Sequence, residues 1–159
     1  VDAFLAGDHA DDVLRHLNPH WFSPVCLPYK FDPEADCPLW KTFPARNLGD
    51  DTAKGRLLQQ WAGYLLLPYA NYHRFLMMVG EGANGKSVAC AALTALLGED
   101  NVSSVPLEMF GDKFRLHGTL GKLANAVAEG GELDRMAQGQ IKAFVTGDAD
   151  SCSVAFALD

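Results

Sequence analysis

Eight consecutive residues, Gly80, Glu81, Gly82, Ala83, Asn84, Gly85, Lys86 and Ser87, spell G-x-x-x-x-G-K-S. No other stretch of the chain restricts its fold as tightly. Glycines let the backbone turn sharply and bring its N–H groups onto phosphate oxygens. A lysine at position 86 can reach the outer phosphates, and the Ser87 hydroxyl can join the shell of a bound Mg²⁺. A helix opening at this point adds the positive end of its dipole to the same anion site. The loop therefore needs a strand before it and a helix after it, and the flanking sequence supplies both. Residues 75–79 (Phe-Leu-Met-Met-Val) are an unbroken apolar run of strand length, the pattern of a parallel strand buried on both faces. Residues 88–97 are rich in Ala and Leu, contain no Gly or Pro, and stop at Gly98, as a helix with a C-terminal glycine does.

The same alternation continues along the chain. Residues 101–105 form a short strand candidate closed by Pro106. A short helix and an irregular connection follow, with turns at Gly118 and Gly121. Residues 123–128 (Leu-Ala-Asn-Ala-Val-Ala) run apolar into Glu129, as a buried strand ending in an acid would. Asp134 is placed to cap a helix over 135–146, with Ile141, Phe144 and Val145 on its inner face. Upstream, Leu57, Leu58, Trp61, Tyr64 and Leu65 recur at helical intervals behind a cap at Asp50 or Asp51, and Pro68 ends that run. Strands alternating with helices predict an α/β fold with a parallel sheet flanked by helices and the ligand at the carboxyl ends of the strands.

Residues 1–48 read differently. Pro19, Pro24, Pro28, Pro33, Pro38 and Pro44 interrupt them about every five residues, and regular structure is not expected to run far against so many missing donors. Trp21, Phe22, Tyr29, Phe31, Trp40 and Phe43 are interleaved with the prolines. They read as anchors fastening an extended segment to a neighbouring surface; stacking on nucleic acid suits an acidic segment less well. The division expected is an irregular, partly helical N-terminal accessory region over 1–70 and a nucleotide-binding core over 71–159. The absence of an initiator Met, and an end at Asp159 that closes no element, suggest a segment cut from a longer polypeptide.

Bulk properties exclude several classes. The net charge of −7 argues against a protein that coats nucleic acid, although a local loop could still touch DNA. No apolar stretch reaches membrane-spanning length. Cys26, Cys37, Cys90 and Cys152 show no C-x-x-C spacing, and Cys90 reads as a small core residue. His16, His20, Cys26 and Cys37 are too unevenly spaced for a convincing zinc site. The expectation is a cytoplasmic protein with reduced thiols.

Hydrolysis requires an acid that holds Mg²⁺ or readies water, usually at the end of a neighbouring strand. Glu129 is the candidate, Glu132 the fallback, and Asp134 is more simply a helix cap. Position 128 is Ala, so a single carboxylate would end that strand.

With these residues in place the chain resembles the superfamily 3 helicase domain of phage- and plasmid-type primase–helicases, AAA+-related P-loop ATPases. The resemblance rests on residues 27–38, 60–65, 80–87, 96–99, 121–125 with 128–129, 141–142 and 146–148, which fall in family order over nearly all of the chain. It implies an ATP-dependent DNA helicase motor with ATP and Mg²⁺ as cofactors. Residues 80–87 would be its Walker A motif, with Lys86 on the phosphates and Ser87 on the metal, and Glu129 would be the acid of its Walker B motif. Lys142 would open a segment that faces DNA. Implied partners are single- or double-stranded DNA, further copies of the chain in a hexamer, and a primase module on the same polypeptide.

Two departures from the family pattern stand out. Residues 149–159 contain no Lys or Arg where a basic stretch is expected, which makes them a poor phosphate contact. The sensor asparagine and the arginine finger would fall beyond Asp159. A nucleotide-binding fragment without catalysis is one alternative. Another is a P-loop enzyme such as a small-molecule kinase, but Arg15, Arg46, Arg56, Arg74, Arg115 and Arg135 do not cluster as a lid would require.

Overall fold

The computed structural model describes residues 20, 23–49, 51–67, 72–80, 84–127, 135–146 and 153–157. Helix α1 (Pro38–Leu48) and helix α2 (Thr52–Leu65) precede strand β1 (Phe75–Met78) and helix α3 (Lys86–Leu97). Strand β2 (Val102–Ser103), helix α4 (Lys113–Leu116), strand β3 (Ala124–Val127), helix α5 (Arg135–Thr146) and strand β4 (Ser153–Ala157) follow. Short 3₁₀ turns at Glu99–Asn101, Leu107–Gly111 and His117–Thr119 join them. The four strands form one sheet in the order β1-β4-β3-β2, with every pairing parallel.

One expectation needs correction. The run 75–79 has the composition of a strand buried on both faces, yet β1 stands at the sheet's edge and pairs with β4. Its burial alternates, with Phe75 and Met77 about half exposed while Leu76 packs against the core. Residues 149–159 stand where the family pattern has a basic stretch, and 153–157 of them are the strand inserted between β1 and β3. A strand hydrogen-bonded on both sides has little use for lysine or arginine, in keeping with the absence of cations from 153–157.

The leader also holds more helix than its prolines suggest. α1 starts with Pro38 at its first turn, where the missing N–H costs nothing, and it carries Pro44 inside. Pro44 lies at the crossing with α2, where a methyl group on Gly55 would meet its Cβ at 3.3 Å. The absent side chain at Gly55 lets the two helices meet closely, so packing offsets the hydrogen bond that Pro44 removes. Trp40 and Phe43 stack with centroids 5.5 Å apart. Upstream of α1, Tyr29 donates from its hydroxyl to Leu96 O at 2.6 Å, and Asn101 Nδ2 donates to Cys26 O at 2.8 Å. The segment is thus tied across the C-terminal end of α3, while Trp21 and Phe22 lie outside the described residues.

Asp51 is the cap of α2, accepting from Lys54 N at 3.1 Å. That hydrogen bond, with the Lys54 ammonium beside it, holds the carboxyl below its ordinary range. The cap is therefore present at neutral pH and is lost as acid titrates the carboxylate. Asp50, Pro68 and Asp134 lie outside the described residues.

The main core joins Leu58, Trp61 and Leu65 of α2 with Leu93 and Leu97 of α3, and with Leu123 and Ala124 at β3. A second cluster, Leu107, Phe110 and Phe144, holds α5 to the Leu107–Gly111 turn, with the two rings edge-on at 5.1 Å. Accessory helices and sheet therefore share one core.

Candidate functional site

Helix α3 opens on Gly85, whose φ of 84° and ψ of 4° are left-handed. Side chains resist that conformation by roughly 1–2 kcal/mol. Gly85 O accepts from Ala89 N at 2.9 Å and closes the first turn. Gly85 offers no side-chain cap, so the leading N–H groups of α3 present the positive end of a twelve-residue helix at this point.

Lys86 is the first residue of that helix and is 8% exposed. Its Nζ donates to Gly80 O at 2.6 Å, bridging the end of the loop to its beginning. An ammonium so held can exchange a neutral carbonyl for charged phosphate oxygens, which make stronger hydrogen bonds. Ser87 is exposed in the first turn. Asn84 is half-buried, and its Oδ1 is buried without a hydrogen-bond partner. A buried acceptor in that condition calls for a donor from elsewhere.

Beside the loop lies a cavity of about 440 Å³. Phe43, Asn47 and Leu57 of the accessory helices form one wall, and Met78, Val79 and Lys86 belong to the other. Mostly apolar walls with a few polar groups, in a volume of this size, match small-molecule sites.

Residues 78–155 match the family described as "Family of unknown function (DUF5906)". No curated protein matches the chain. The DUF5906 match covers just under half of the chain, starts at the last residue of β1 and ends within β4. It therefore holds residues 80–87, Glu129 and Lys142, and leaves out α1 and α2.

The remaining site residues are placed unequally. Glu81, Gly82, Ala83 and Glu129 lie outside the described residues, as do Glu132 and Asp134. The strands leading to the loop and to Glu129 are described. β1 and β3 run parallel on either side of β4, with Met77 and Val127 both in register with Phe156. They leave the sheet at the same edge, about 10 Å apart by two strand spacings. Lys142 is exposed on α5. Cys26 and Cys37 are exposed free thiols, and burial pushes the Cys90 thiol up. Among the described residues no cluster of His, Cys, Asp or Glu could hold a metal by itself. Mg²⁺ held by phosphate oxygens, one hydroxyl and one acid needs no such cluster.

The accessory wall of the cavity is not legible in the sequence. The signal was the spacing of Trp40, Phe43 and Asn47, three and four residues apart, which marks one helical face. Pro44 in their midst reads as a break.

Gly85→Ala tests the loop. A methyl group there would enter the left-handed region and come within 2.5 Å of Asn47 Oδ1. Denaturant unfolding should show a loss of about 1–2 kcal/mol from backbone strain alone. Combining it with Asn47→Ala should relieve the clash and leave the strain.

Proposed function

We propose that this chain is the ATP-binding and hydrolysing part of a DNA helicase motor of the superfamily 3 type, acting in phage or plasmid replication. The fold class that goes with this reading is the AAA+-like P-loop NTPase. One observation carries it: a left-handed Gly85 opens α3 directly onto Lys86, which is anchored across the loop and lines a cavity of about 440 Å³. The base and sugar of ATP would occupy the apolar part of that cavity, and the phosphates would lie over the first turn of α3.

In this reading Lys86 leaves Gly80 O for the outer phosphates and steadies the charge that develops as the γ-phosphoryl group departs. Ser87 and Glu129 are the residues that would hold Mg²⁺, which supplies charge neutralisation at the phosphates when bound. Glu129 would also orient the attacking water, since the end of β3 opens on the same sheet edge as the loop. Lys142 would face DNA. The wider assignment follows the resemblance: a homohexamer with ATP between subunits, a primase module on the same polypeptide, and action in the cytoplasm of a bacterial or phage-infected cell. Among the described residues no helix is long and apolar enough to cross a membrane.

The experiment is ATP turnover by the full-length protein, with and without single-stranded DNA. Turnover that rises with DNA is expected. Transfer of phosphate to a small-molecule acceptor would favour a kinase. Binding of a fluorescent ATP analogue without turnover would favour a non-catalytic fragment. Failure to bind it with Mg²⁺ present would end the nucleotide reading altogether.

A further inference from the structure

The accessory helices do more than fill out the core. Asn47 stands at the C-terminal end of α1, half-buried, and its Nδ2 donates to Phe43 O at 2.9 Å. That bond fixes the orientation of the amide and leaves Oδ1 as the free face. Oδ1 packs on Gly85: a Cβ at Gly85 would fall 2.5 Å from it, 2.8 Å from Asn47 Cγ and 3.3 Å from the Phe43 ring. Asn47 and Gly85 also line the same cavity. The glycine that starts α3 thus lies against a side chain belonging to neither the loop nor its strand.

We propose that Asn47 is a positioning residue of the phosphate site, through which the accessory helices hold Gly85 in the left-handed conformation that polyphosphate binding requires. The inference rests on the ATP-binding reading above and adds a residue outside the matched span of 78–155. Its chemistry is specific. A neutral amide can lie against an anion-binding turn, whereas a carboxylate in the same place repels the phosphates. The base and sugar, which carry no charge, are indifferent to the exchange.

The test uses this chain in wild-type, Asn47→Asp and Asn47→Ala forms, with ATP and adenosine as separate ligands and thermal melting as the check on folding. Asn47→Asp should weaken ATP at least about tenfold, given the repulsion of unit charges a few ångströms apart at a protein surface. Adenosine should change by less than about twofold, and added salt should narrow the gap. Asn47→Ala should weaken ATP several-fold by freeing Gly85, again leaving adenosine unchanged; it decides the matter if the Asp variant does not fold. Equal losses for both ligands, or no loss for either, would overturn the role of Asn47 while leaving ATP binding intact. A wild-type chain that binds no ATP removes the parent reading instead.

Discussion

Lys86→Ala is expected to abolish ATP turnover by the full-length protein, lowering it at least about a hundredfold, the scale on which single transition-state contacts act. The reasons are two, and both are local. Lys86 is the only cation among the cavity-lining residues that belongs to the phosphate loop; Lys54 comes from α2. Its ammonium also ties the loop's two ends together through Gly80 O. The alanine variant loses the charge at the outer phosphates and the bridge that shapes the loop. Lys86→Arg separates the two effects. It keeps the charge, but at 8% exposure the site has little room for a planar guanidinium, so it should fail nearly as badly. Lys86→Met keeps the buried stem and drops the charge. Its melting temperature should stay close to the wild type while turnover is lost. Normal turnover in the alanine variant would remove the proposed mechanism.

The sequence and the structure agree most closely where short-range chemistry decides. Helix α3 ends where Gly98 follows it, with Gly98 N bonded to Thr94 O at 2.8 Å. α2 starts behind the Asp51 cap. α5 spans Arg135–Thr146, the span its apolar spacing predicts. Agreement fails where partners far along the chain decide. The run 153–157 is not read as a strand from the sequence, and it becomes one by pairing with β1 and β3. The apolar run of β1 implies a central position, but no local property of Phe75 or Met77 records which strand lies beside it. Pro44 would break an isolated helix, and only the contact with Gly55 shows why α1 survives it. The candidate site divides in the same way. Gly85 and Lys86 are legible because a motif states their spacing. Asn47 is not, because its relation to Gly85 exists only once α1 has packed beside the loop.

Asn125→Ala is expected to be the most destabilising single change in the sheet, costing about 3–5 kcal/mol in denaturant unfolding. Asn125 is fully buried on β3, and its amide is the interior's most complete polar contact among the described residues. Its Oδ1 accepts from Val105 N at 2.8 Å and from Ser103 Oγ at 2.8 Å, and its Nδ2 donates to Val105 O at 2.9 Å. The amide takes over where the ladder stops, since β2 is two residues long and Val105 lies beyond it. One side chain pairs both main-chain groups of Val105, as another strand residue would. Alanine would take the partner from the half-buried Val105 N–H and carbonyl, leave the Ser103 hydroxyl only its longer bond to Ala124 O at 3.3 Å, and open a cavity as well. Ser103→Ala should be far milder, about 1 kcal/mol, because the Asn125 amide keeps both bonds to Val105. Asn125→Asp separates shape from bonding: it is the same size, but it points an oxygen at Val105 O and buries a charge, so it should be at least as damaging as alanine. β3 is also the strand that leads to Glu129, so loosening its pairing with β2 should reduce turnover before the fold is lost. Parallel unfolding and turnover curves for Asn125→Ala and Ser103→Ala check this. Equal stability of the two variants would show that the amide does not join the strands.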